Sequence, residues 1–91
     1  MADTIPPHSN FHFWKREYHR ARARAIHHRA RGRVAPARAA AMRARLSLAR
    51  GVSWALTGHA PPAPVAEKGL TRSRVTEFRA RFPDATTHTE G

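Results

Sequence analysis

Residues 11–57 read FHFWKREYHRARARAIHHRARGRVAPARAAAMRARLSLARGVSWALT, and the spacing of apolar and small residues within this stretch decides the fold class. Phe11, Trp14, Tyr18, Ala21, Ala25 and His28 recur at intervals of three and four, which places them on one stripe of a helix. The stripe is aromatic at its start and small further along. Ser9 or Asn10 can cap this helix, and Gly32 and Pro36 bracket its end. A second helix is expected from about Pro36, a residue suited to a first turn, to Thr57, with Gly58 as its stop. Its expected apolar stripe is Met42, Leu46, Ala49, Val52 and Leu56, with Arg43 and Arg50 roughly opposite and Trp54 one turn beyond Arg50. A short Gly/Pro-containing connection suits an antiparallel hairpin, and one long broken arm is the competing arrangement.

Outward from this stretch the chain loses helical patterning. Residues 1–10 read as an extended N-terminal arm, since Pro6 and Pro7 disfavour helix. Residues 58–70 contain Pro61, Pro62 and Pro64 and read as a semi-rigid linker. Residues 71–83 read as a short third helix that ends before Pro83, with Val75, Phe78 and Phe82 on its apolar face and Glu77 one turn from Arg81. Residues 84–91 read as a flexible tail. The expected architecture is all-α: two Arg/Ala-rich helices, a Pro-rich linker, a short third helix and extended termini.

The expected core is thin. Leu, Ile, Val and Phe make up 14 of 91 residues, whereas 18 are Ala. Alanine favours helix but buries little area, and burial stabilises by only about 25 cal/mol per Å². Low apolar content with a net charge of +11 lies on the disordered side of the compositional divide. Helices that a partner helps to hold together are therefore expected.

Charge gives the strongest functional signal. Residues 15–50 hold twelve of the seventeen cations against Glu17 alone, so this segment carries the whole net charge of +11, while five cations and five carboxylates cancel elsewhere. Such polarisation is the electrostatic footprint of a protein that binds nucleic acid or another polyanion. Fifteen of the seventeen cations are Arg, whose planar fork grips phosphate in two places and stacks on bases. A GC-rich coding sequence also favours Arg over Lys, but it does not account for the missing carboxylates. A solvated charged face normally mixes both signs. Arginines on several faces of a helix suit a polyanion that wraps the segment, such as folded RNA or packaged DNA. Candidate contacts are Arg16, Arg20, Arg22, Arg24, Arg29, Arg31, Arg43 and Arg50, with Trp54 available to stack on a base. Trp54 in a cation–π contact with Arg50 is the alternative reading of that pair.

The function classes that remain are few. No Cys is present, which excludes disulfides and thiol chemistry. The histidines (His8, His12, His19, His27, His28, His59, His88) lack nearby carboxylates and sit among cations, so no metal or other cofactor is expected. Their nearness to bound phosphate would strengthen polyanion binding as the pH falls towards about 6. The carboxylates are scattered and no nucleophile or phosphate-loop motif occurs, so the expected role is non-catalytic, with no small-molecule substrate. No apolar run approaches a membrane span, and neither a signal nor a transit pattern opens the sequence. A cytoplasmic location, or one within a virion, is the expectation.

The sequence thus predicts a structural nucleic-acid-binding protein, RNA or DNA, that serves as a small subunit of a ribonucleoprotein or packaged-genome assembly. The alternative is a subunit that clamps larger proteins, with Phe11, Trp14, Tyr18, Val75, Phe78 and Phe82 as docking residues. Residues 65–82 (VAEKGLTRSRVTEFRARF) also resemble the second half of a helix-turn-helix, with Gly69 at a turn, Thr71 as cap and Arg72 and Arg74 where base contacts would lie. That resemblance implies a DNA-binding regulator as a lesser alternative. The positioning helix ahead of it would have to run through Pro61, Pro62 and Pro64.

Overall fold

The computed structural model describes residues 4–62 and 68–86. The described chain is all-helical, with α1 (Asn10–Ala30), α2 (Val34–Thr57) and α3 (Arg72–Arg81), followed by a 3₁₀ turn at Pro83–Thr86. Part of the expected linker (residues 63–67), residues 1–3 of the arm and residues 87–91 of the tail lie outside the described residues.

Local chemistry fixes each helix end. The Ser9 side chain accepts from the Phe11 N–H at 3.1 Å and caps α1. At the other end Gly32 N–H donates to the Arg29 carbonyl at 3.0 Å and Arg33 N–H to that of His28 at 2.9 Å. This pair of bonds, with Gly32 at φ 73°, is a Schellman closure, which satisfies carbonyls that the helix cannot. Only Arg31, Gly32 and Arg33 separate the two helices. Helix α2 starts two residues before the expected Pro36. The proline thus falls in the first turn, where a missing N–H breaks no helical bond. Gly58, in the left-handed conformation, ends it, with its N–H donating to the Trp54 carbonyl at 2.9 Å.

Helices α1 and α2 form the antiparallel hairpin; the long-arm alternative is excluded by their packing. Trp14 lies against Arg50 and Gly51, while Ala21 and Arg24 face Ala39, Ala40 and Arg43, so the pairing runs in opposite directions along the two helices. The seam of α1 is the expected one, with Phe11, Ala21 and Ala25 buried and Trp14, Tyr18 and His28 half-buried. The seam of α2 differs from the sequence expectation. Met42 is 59% exposed, and Leu46 is only half-buried. The row Ala37, Ala40, Ala44, Ser47 and Gly51, also at three-four spacing, takes their place, and four of its five members are buried. Small residues there let the helix backbones approach closely, as the Ala21–Ala25 stretch of α1 requires.

A second face of α2 carries the larger side chains. Val52 and Leu56 pack with Phe11, Phe78 and Phe82 in one core cluster, and Leu48, Ala55, Leu70, Ile5 and Ala85 border it. Phe78 stands 5.5 Å from Phe11 and 5.6 Å from Phe82, centroid to centroid, within the range of favourable aromatic pairs. The C-terminal segment is thus a clasp across the open end of the hairpin. Thr71 caps α3 by accepting from the Arg74 N–H at 3.2 Å. Glu77 stands 4.0 Å from Arg74, and Arg81, expected beside Glu77, donates to the Leu56 carbonyl at 2.8 Å.

That Arg81 contact places a cation on a carbonyl of the last turn of α2, where the helix dipole favours it. Arg81→Met removes it and lowers stability by about 1 kcal/mol, read as a drop of about 5 °C in Tm by circular dichroism. An unchanged Tm would show that the clasp is held by the phenylalanines alone.

The described residues of both expected extended ends carry local structure. Ser9 N–H donates to the Pro6 carbonyl at 3.0 Å, and the His12 ring Nε2, in contact with the same oxygen at 2.9 Å, must act as a donor there. The arm therefore turns back, and Ile5 packs on the core. The 3₁₀ turn occupies the first residues of the expected tail, with Ala85 against the same cluster.

Candidate nucleic-acid interface

The hairpin sorts its arginines by face. Each helical residue is rotated about 100° from the last, so Arg22 and Arg29 share one row of α1 and Arg24 lies on the other side of the Ala21–Ala25 seam. On α2, Arg38 and Arg45 share one row, and Arg43 and Arg50 share another across the small-residue seam. Arg24 and Arg43 meet at one groove, lined also by Ala21, Pro36, Ala39 and Ala40, with a volume of about 330 Å³. The opposite side of α2 bears Arg45, whose Cβ lies near Gly69, so that is the side on which the C-terminal segment returns. One broad face of the hairpin thus presents Arg24, Arg43 and Arg50, and the other presents Arg22, Arg29, Arg38 and Arg45. Arg16 and Arg20 stand on the outer edge of α1, away from the seam.

Every arginine among the candidate phosphate contacts is exposed except Arg50, which is half-buried. Arg50 stacks over the Trp14 ring at 5.0 Å, so its aromatic partner comes from the facing helix and not from Trp54, the pairing weighed as the alternative from the sequence. The reason is register, because antiparallel packing brings Trp14 opposite Gly51. Trp54 is half-buried on the same side of α2 as Arg43 and Arg50. Arg31 lies in the interhelical turn as the C-cap of α1.

Sequence reasoning passed over three cations of this surface, Arg33, Arg38 and Arg45, all exposed. The seven-residue spacing of Arg38 and Arg45 was a usable signal, since it matches that of Arg22 and Arg29.

The electrostatics are one-sided. Glu17, the one carboxylate of the hairpin sequence, sits 3.1 Å from Arg20, and the next carboxylate along the chain is Glu67. An exposed pair of this kind is worth little, about 0.3–0.5 kcal/mol, and leaves the field of the other arginines intact. Exposed guanidinium groups spread over two faces suit phosphate contacts, which position a partner without reading its sequence.

The residues expected to dock on a protein partner lie elsewhere. Phe11, Phe78 and Phe82 are buried in the chain's own core, and Trp14, Tyr18 and Val75 are half-buried. The large apolar side chains at the surface are instead Phe13, Ile26, Val34 and Met42. In the stretch resembling a helix-turn-helix, Arg72 is exposed, Arg74 is half-buried beside Glu77, and residues 65–67 lie outside the described ones. Among the described residues, no group of three or more His, Asp or Glu side chains is placed to hold a metal ion. No helix among them is long and apolar enough to cross a membrane. No family model, curated protein or solved structure matches the chain.

Proposed function

We propose that this chain is a non-catalytic nucleic-acid-binding protein that holds phosphodiester backbone through the exposed arginines of its helical hairpin, as a small subunit of a ribonucleoprotein or packaged-genome assembly. One observation carries the reading: exposed arginines occupy both broad faces of a hairpin that contains a single carboxylate, Glu17. A net charge of +11 confined to so small a body repels itself. A polyanion relieves that repulsion and releases its own condensed counterions on binding.

The exposed Phe13, Ile26, Val34 and Met42 support a second reading, a clamp between larger protein subunits. One preparation separates the two. The protein purified from its native source at low salt is expected to carry material absorbing at 260 nm that nuclease removes, and sequencing that material names the partner. A protein-only complex that survives nuclease and high salt would assign the chain to the clamp.

A further inference from the structure

Between Glu17 and Glu67 the chain has no carboxylate, and nine arginines fall between residues 20 and 45, the part of the hairpin nearest its turn. All nine are exposed. They divide between Arg22, Arg29, Arg38 and Arg45 on one broad face, Arg24 and Arg43 on the other, Arg20 on the outer edge, and Arg31 and Arg33 at the turn. Both helices contribute to both faces. The clasp of Phe78 and Phe82 covers the far end of the hairpin, beside Phe11 and Leu56; the returning segment approaches the closed end at Gly69, beside the Cβ of Arg45, and leaves all nine arginines exposed.

A helix with its side chains is about 10–12 Å across. The closed end of the hairpin is therefore a blade one helix thick and two helices wide. The major groove of B-DNA is about 12 Å wide but only about 8.5 Å deep. It admits one helix edge-on, so phosphates would flank the arginines of α1 and leave Arg38, Arg43 and Arg45 on α2 outside. The major groove of an A-form RNA duplex is too narrow for either helix. Lying flat on any straight duplex, the blade would neutralise one face and leave the other uncompensated. Phosphate on both faces of both helices requires two separate walls.

We infer that the closed end of the hairpin, residues 20–45, docks in a cleft between two helices of a folded RNA, with phosphodiester backbone on both broad faces. This inference rests on the phosphate-binding reading and deepens it. Folded RNA supplies such clefts at junctions, where helices converge at angles and their backbones face one another. Charge complementarity on two opposed surfaces selects this occupant over a straight duplex. The small side chains of the groove beside Arg24 and Arg43 (Ala21, Ala39, Ala40) let a backbone come close to the guanidinium groups on that side.

The test uses the full chain and three probes with equal numbers of phosphates: an RNA three-way junction, a straight RNA duplex and a straight DNA duplex. At about 0.15 M salt the junction is expected to bind at least about tenfold more tightly than either duplex, because several more phosphates are neutralised. Two double variants then remove charge from one face each, R22Q/R38Q and R24Q/R43Q. All four positions are exposed and Gln is a good helix former, so the fold is retained, as an unchanged circular dichroism melt verifies. Each pair is expected to lower the slope of log K against log salt for the junction by about 1.4–1.8, from the usual value of about 0.7–0.9 per phosphate. Equal affinity for junction and duplexes, tighter binding of DNA, or a slope that responds to one pair only would overturn the cleft while leaving phosphate binding in place. A polyglutamate chain that displaces the junction as well as excess junction does would reassign the surface to acidic protein. If the wild-type chain binds none of the three probes, the cleft and the phosphate-binding reading fall together.

Discussion

Phe78→Ala is expected to cost about 3–5 kcal/mol, the usual range for removing a buried phenylalanine, and to leave the chain only marginally folded at room temperature. Phe78 is 6% exposed and lies between Phe11 and Phe82, so it joins the start of α1 to the end of the chain. A domain of this size is stable by about 5–14 kcal/mol at ordinary per-residue values, and a thin core places this one near the low end. The loss is therefore most of what is available. Urea unfolding followed by circular dichroism measures it. Phe13→Ala serves as the control, because Phe13 is 45% exposed and surface changes usually stay within about 0.5 kcal/mol. Equal midpoints for the two variants would show that the C-terminal clasp contributes nothing to the fold.

Gly51→Leu is expected to cost about 2–3 kcal/mol, for the opposite reason. A Cβ built at Gly51 comes 3.2 Å from the Trp14 Cβ and 3.5 Å from Phe11 Cδ1. The Trp14 Cβ is fixed to its backbone and cannot swing aside, so a larger residue must separate the helices. Overpacking of this kind costs about 1–3 kcal/mol. Separation would also open the Ala-rich seam further along and weaken the stacking of Arg50 on Trp14. Gly51→Ala gives the graded comparison: its gain in helix propensity, about 1 kcal/mol, offsets a small outward shift. A Gly51→Leu protein as stable as wild type would mean that α1 and α2 do not approach as closely here as the structure has them.

Much of the fold was readable along the chain. Ser9, Gly32, Gly58 and Thr71 act where their chemistry suggested, because caps and stops are local events. The stripe of α1 was readable as well, since only one of its faces is used. Helix α2 misled because it packs on two sides at once. Its larger residues, Val52 and Leu56, serve the clasp, and its small ones, Ala44, Ser47 and Gly51, serve the hairpin. An apolar stripe drawn through the large residues merges these two faces and brings in Met42, which is exposed. The placement of Phe78 and Phe82 across the hairpin was not readable, because a Pro-rich connection carries no directional signal.

The candidate site divides in the same way. That the arginines crowd into one segment is a property of the sequence alone. Their assignment to two broad faces needed the register of α1 against α2, and so did the identity of the ring on which Arg50 stacks. Register depends on packing between segments far apart in sequence, which periodicity within one helix does not encode. The same packing turned Phe11, Phe78 and Phe82 from expected docking residues into an internal core.

Whether the hairpin binds phosphate backbone is decided by the salt dependence of nucleic-acid binding by the full chain. If six or more arginines meet phosphates, log K falls against log salt with a slope steeper than about −4. Binding that weakens with a slope shallower than about −1, or not at all between 0.05 and 0.5 M salt (a span of about tenfold in screening ions), would mean that the arginines do not meet phosphates and that the exposed Phe13, Ile26, Val34 and Met42 hold the partner instead.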